Sequence, residues 1–176
     1  METIKICEIV IPTPYILNDN AQCTYRYNMG KYKWIEEQIH KSFLGEDRPD
    51  NCLCWTKPVS ECDFINKDSV TLILTHYKPN NKKFDLTNYS RCFKALVDGL
   101  TGSSYFTDDN YTNLPCVIFI GGNESNWRNP AFGIVNDSLP VKDYIRTIGN
   151  VEERMQTTKY NKIDNYDLFQ IFVLKD

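Results

Sequence analysis

The chain contains no apolar run near the roughly 18 residues that a membrane-spanning helix needs, so no membrane helix is expected. It has no internal repeat and no low-complexity tract, which argues against a solenoid or a disordered linker. The start, METIKICEIVIP, lacks the pattern of a signal peptide. An odd count of seven cysteines then fits free thiols in a reducing cytoplasm better than a disulfide framework. A basic excess is also missing: 20 Lys and Arg face 23 Asp and Glu, a net charge of −3. A protein that holds polyanions by gross charge is excluded. Phosphate would have to meet a local basic patch, or carboxylates neutralised by a cation.

What is present is enough apolar sequence, 41%, to give 176 residues a proper core, and the expectation is one domain over 1–176. Residues 3–11 alternate and are rich in β-branched side chains, which predicts a strand ended by Pro12 and Pro14. A helix is expected from about Lys31 to Phe43, burying Trp34, Ile35, Ile39 and Phe43. Residues 69–77 predict a second strand, apolar enough to be central, and residues 114–120 a third, stopped by Gly121-Gly122. A closing strand is expected at 166–174. Two stretches read as irregular insertions, about 45–67 and 123–165; the second has helical spacing at Val141, Tyr144, Ile145 and Ile148, broken at Gly149. This order predicts an α/β fold, a small mixed sheet with helices packed against it.

The most informative stretch is 82–110, KKFDLTNYSRCFKALVDGLTGSSYFTDDN. Leu86, Tyr89, Cys92, Phe93, Leu96, Val97 and Leu100 recur at spacings of three and four and predict one amphipathic helix. Thr87, Arg91, Lys94 and Asp98 fall on its opposite stripe. Asp85 suits an N-cap and Gly102 the stop after the last turn. A short loop then delivers Asp108 and Asp109 to the third strand. If that loop folds back, Asp85 meets Asp108 or Asp109. Carboxylates so grouped repel and favour a hard divalent cation such as Mg²⁺, with Mn²⁺ as a substitute. Arg91 and Lys94 would then stabilise charge at a phosphodiester. Lys78, Lys82, Lys83, Arg91 and Lys94 against Asp85 make 78–94 a local basic patch.

Each residue also has a plain structural reading. Asp85 can serve only as a cap, Lys94 and Asp98 as a solvated i,i+4 ion pair, and Asp108-Asp109-Asn110 as a turn. Asn18, Arg26, Lys31 and Lys33 face DNA in one reading and form a solvated loop and helix start in the other. His76, near the end of the second strand, is either an acid/base or a packed side chain. Trp127 and Arg128 either contact an unstacked base or close the core. Cys52, Cys54 and Cys62 form C-x-C-x₇-C, one ligand short of a zinc site unless His40, His76 or Cys7 completes it.

The pattern Asp85-x-x-Asn88, then Lys94, then Ala95-x-x-Asp98-Gly99-Leu100, a short loop and Asp108-Asp109 resembles the RusA family of Holliday junction resolvases, in its longer phage and prophage branch. The match covers about a fifth of the chain. The resemblance implies a Mg²⁺-dependent endonuclease with a RusA-like fold that acts as a homodimer on four-way DNA junctions, in the cytoplasm of a bacterial host. It implies Asp85 and Asp109 as metal ligands, with Asp108 or Asp98 auxiliary and Lys94 assisting. It places Asn88, Lys82, Lys83, Arg91, Arg26 and Lys31 toward DNA. Shorter members carry a second acid where this chain has Thr87, and their lysine where it has Arg91. The Thr87 departure leaves a second expectation: a junction-binding protein on the same fold without cleavage. A third is a zinc-stabilised interaction module on the 52–62 loop.

Overall fold

The computed structural model describes residues 2–17, 25–44, 69–102, 109–148 and 151–175. Its elements are β1 (Glu2–Pro12), α1 (Tyr25–Leu44), β2 (Thr71–Tyr77), α2 (Ser90–Gly102), β3 (Cys116–Gly122), α3 (Glu124–Trp127), α4 (Val141–Thr147), α5 (Val151–Thr157) and β4 (Tyr166–Lys175). The strands form one mixed sheet in the order β1-β4-β2-β3. β2 and β3 run parallel, joined through α2, while β4 is antiparallel to both β1 and β2. The α/β expectation and the element order are met.

Period-2 alternation builds the two faces of this sheet. Leu72, Leu74, Phe169, Ile171 and Val173 point to one face and join Ile35, Ile39, Phe93 and Leu96 of α1 and α2 in the main core. Tyr77, Leu168 and Val10 point to the other and meet Trp127, Val141, Ile145 and Val151 of the short helices. β2 is covered on both faces, as its apolar stretch Leu72-Ile73-Leu74 anticipates.

The helices α1 and α2 cross at Gly99. A Cβ there would stand 2.7 Å from Cβ of Ile39, closer than side chains pack, so only glycine permits this approach.

Several boundaries differ from the sequence expectation. α1 starts at Tyr25, because its first turns carry no apolar stripe from which to read it. The expected helix from Leu86 opens as a 3-10 turn over Leu86–Tyr89 and becomes α-helical only at Ser90. Gly102 is the last residue of α2, inside it and not beyond it. Gly121 and Gly122 do not stop β3; their backbones pair with His76 and Tyr77. The stretch 123–165 contains α3, α4 and α5, and the break at Gly149 falls between the last two. The loop 45–67, with Cys52, Cys54 and Cys62, lies outside the described residues. Among the described residues no helix is long and apolar enough to cross a membrane.

Candidate functional site

α2 buries Cys92, Phe93, Leu96 and Leu100 completely or nearly so and turns Arg91 and Lys94 outward. Asp98 follows Lys94 by one turn, so both lie on the same outer stripe. The chain re-enters the described part at Asp109, and Asn110 then anchors a turn whose carbonyl accepts from the N–H groups of Asn113 and Leu114. The Asn113 carbonyl in turn accepts from Val70 N–H at the start of β2. These bonds tie the turn that follows Asp109 to the start of β2. Lys94 Nζ donates to Asp98 Oδ1 at 2.9 Å and to Asp109 Oδ2 at 3.0 Å.

The charge balance of this group is uneven. Burial pushes the Asp98 carboxyl up to about 6, and the charge of Asp109 and a hydrogen bond between the two carboxyl groups push in the same direction. Lys94 is 58% exposed, so water screens its opposing effect. Asp98 thus keeps its proton up to about pH 6 beside Asp109, at a half-exposed surface with the Lys94 ammonium across the two carboxyl groups.

The remaining expected residues do not gather here. β2 ends at Tyr77, α2 runs back along the sheet, and Asp109 precedes the start of β3 at the opposite end of the parallel pair. Asp85 sits before the 3-10 turn with extended backbone, exposed, and its side chain makes no capping hydrogen bond. From Asp85 to Asp98 the 3-10 turn and helix advance roughly 20 Å. The expected meeting of Asp85 with Asp109 therefore does not occur within one chain. Among the described residues no three His, Cys, Asp or Glu side chains come together to hold a metal ion. Asp108 lies outside the described residues. Thr87 is exposed near Asp85, and Asn88 is half-buried in the same turn.

Lys82, Lys83 and Arg91 are exposed toward the Asp85 end. Lys82 and Lys83 border an open cleft of about 450 Å³ with Phe84, Gly121, Asn123 and Ser125, beyond the carboxyl ends of β2 and β3. Open α/β sheets place ligand sites at such ends. The predicted residues thus divide into an acidic pair with its lysine on the later turns of α2 and a basic group before and at its start, with Arg91 about one turn ahead of Lys94. Lys31 is half-buried on α1; the Arg26 side chain and residue 18 lie outside the described part.

One cluster escaped the sequence reading. His76 is fully buried, with Nε2 2.7 Å from Asp167 Oδ2, and Lys78 Nζ donates to the same oxygen at 3.1 Å. Phe169 stacks on the imidazole at 4.2 Å, and Phe84 and Tyr89 close it at 4.6 and 4.8 Å. Burial lowers the His76 pKa, and the Asp167 partner only partly restores it. This is a packed structural pair, the plainer of the two expectations for His76. Lys78, counted in the basic patch, is committed to Asp167 and to the rings of Phe84 and Tyr89. The available signal was a lone Asp at the start of the apolar strand YDLFQIFVL, one strand from a lone His. Trp127 is also core, fully buried with its indole N–H donating to Leu139 O; Arg128 is exposed beside Glu124.

No protein-family model matches this chain, and no curated protein matches it.

Proposed function

We propose that the protein is a Mg²⁺-dependent, structure-selective endonuclease that resolves four-way DNA junctions as a homodimer. The observation that carries this reading is the Asp98–Asp109 pair bridged by Lys94, on the segment whose pattern resembles the RusA family. The donor set suits Mg²⁺, which takes one or two carboxylates, keeps waters and completes its shell with phosphate oxygen. Once bound, the ion supplies charge neutralisation for in-line displacement at phosphorus. Asp98 and Asp109 would hold it, with Asp98 giving up its proton on binding. Lys94, released from the carboxylates, is long enough to turn to the phosphodiester and stabilise charge there. Lys82 and Lys83 before α2, and Arg91 one turn ahead of Lys94, take backbone phosphates and set the register of the duplex. Two matched cuts in a symmetric junction call for two matched sites, hence a homodimer. Loss of metal-dependent junction cleavage in Asp109→Ala tests the assignment.

The placement of Thr87 and Asp85 favours a second reading, a junction-binding protein that does not cut. With Asp85 remote from the pair, only two described carboxylates serve a metal. An acid at position 87 would build a second pair with Asp85 at the basic end. Under this reading the wild-type protein binds junctions without cleavage and Thr87→Asp gains it.

A further inference from the structure

A second concave site lies at the β1–β4 side of the sheet. It sits between α1, the end of β1, the end of α5 and the start of β4, encloses about 360 Å³, and is lined by Tyr15, Trp34, Gln38, Arg154, Thr158 and Tyr160 among others. That volume is at the small end of ligand-binding clefts.

Its walls are unusually aromatic for a surface feature. Tyr15 stacks on Trp34 at 4.5 Å with 24° between the rings, and Tyr160 meets Tyr15 edge-on at 6.2 Å. All three rings are half-buried, so each keeps surface in the cleft. Two bonds hold the walls in place. Tyr166 Oη donates to the Tyr160 carbonyl at 2.6 Å, and Arg154 Nη1 donates to the Val10 carbonyl at 3.2 Å. The latter uses one of five guanidinium N–H donors and aims the plane; the others are not bound to Val10. Lys159 adds positive charge 5.4 Å from the Tyr160 ring.

The combination selects a ligand class. An aromatic cage alone would suit an organic cation, but Arg154 in the wall and Lys159 beside it repel one. A purely apolar guest would leave the Gln38 amide and the guanidinium N–H groups of Arg154 that Val10 does not use facing apolar surface. A flat heteroaromatic ring carrying an anionic group suits this lining: stacking on the rings, hydrogen bonds with the Gln38 amide, and phosphate on the guanidinium. We propose that this cleft binds an unpaired nucleotide, with its base against Trp34 and Tyr160 and its phosphate at Arg154. The choice of a nucleic acid over a free nucleotide rests on the nuclease reading; the site would hold a base splayed from the branch point.

The test is fluorescence anisotropy of an end-labelled short oligothymidylate titrated with wild-type, Trp34→Leu, Trp34→Phe and Arg154→Gln proteins. Trp34→Leu is expected to weaken binding about tenfold, since stacking on one ring contributes that much, while Trp34→Phe retains most of it. Arg154→Gln is expected to weaken binding and to reduce the log–log salt slope by about 0.7, one phosphate contact on a single strand. The arginine variant keeps the proposal testable if Trp34→Leu fails to fold. Binding unchanged in folded Trp34→Leu or in Arg154→Gln, or wild-type protein that takes thymidine monophosphate but not the oligomer, would overturn it. Junction cleavage measured on the same preparations reports separately on the nuclease reading.

Discussion

The Lys94 ammonium stands 3.0 Å from the Asp109 carboxylate, fifteen residues along the chain, and 2.9 Å from Asp98 one helical turn away. Both contacts are at the surface, where an ion pair contributes at most about 1 kcal/mol. Lys94→Met should therefore leave stability within about 1 kcal/mol of wild type. It should raise the Asp98 pKa above its present value of about 6, because the carboxyl pair loses the ammonium that bridges it. Carboxyl chemical shifts followed through a pH titration would show the change; an unmoved or lowered pKa would mean that Lys94 does not act on the pair.

Divalent cations compete with the proton that Asp98 keeps. Mg²⁺ affinity should fall as pH drops through about 6, whereas a site of ordinary carboxylates would hold its affinity to about pH 4. Calorimetric titration of Mg²⁺ above and below that pH distinguishes the two.

His76 makes stability depend on pH in the opposite sense to Asp98. Its folded pKa lies below the unfolded 6.5, so in the window beneath 6.5 the unfolded chain binds the extra proton. Its contribution is complete above about pH 6.5 and is lost as pH falls toward the folded value, at up to about 1.4 kcal/mol per pH unit. Asp98, with a folded pKa raised from 3.8 to about 6, contributes stability at low pH that is lost as pH rises through that interval. In denaturant unfolding followed as pH falls below 6.5, His76→Asn, which keeps a donor for Asp167, should lose less stability than wild type.

Two helical glycines should respond oppositely to alanine. At Gly99 the added Cβ meets Ile39, so Gly99→Ala should lose about 1–2 kcal/mol despite better helix propensity. Gly30 in α1 has open space around its missing Cβ, so Gly30→Ala should gain up to about 1 kcal/mol. Equal effects at the two sites would contradict the α1–α2 crossing described above.

The sheet was legible because its strands carry period-2 or continuous apolar patterns that only a sheet satisfies, and α2 because its stripe is complete from Cys92 to Leu100. Helix starts were harder: Tyr25 to Gly30 show no stripe, and the 3-10 turn at Leu86–Tyr89 has the same apolar spacing as the α-helix it leads into. The candidate site was half legible. Asp98 beside Lys94 follows from helical spacing alone. Whether Asp109 or Asp85 joins them depends on which end of a parallel β-α-β unit each occupies, and that is set by topology, which local spacing does not encode. The commitment of Lys78 to Asp167 was hidden for the same reason, since its partner lies 89 residues away.

The central claim is that Asp98 and Asp109, with Lys94, form a metal-dependent nuclease site. The most direct measurement is cleavage of a labelled four-way junction and a matched linear duplex, with Mg²⁺ and with EDTA, by wild-type protein and by Asp109→Ala and Asp85→Ala. The account predicts junction-selective cutting that requires Mg²⁺, is lost in Asp109→Ala, and is kept in Asp85→Ala, whose carboxylate stands apart from the pair. Cleavage that persists undiminished in Asp109→Ala, or junction binding with no cutting under any divalent cation, would contradict it.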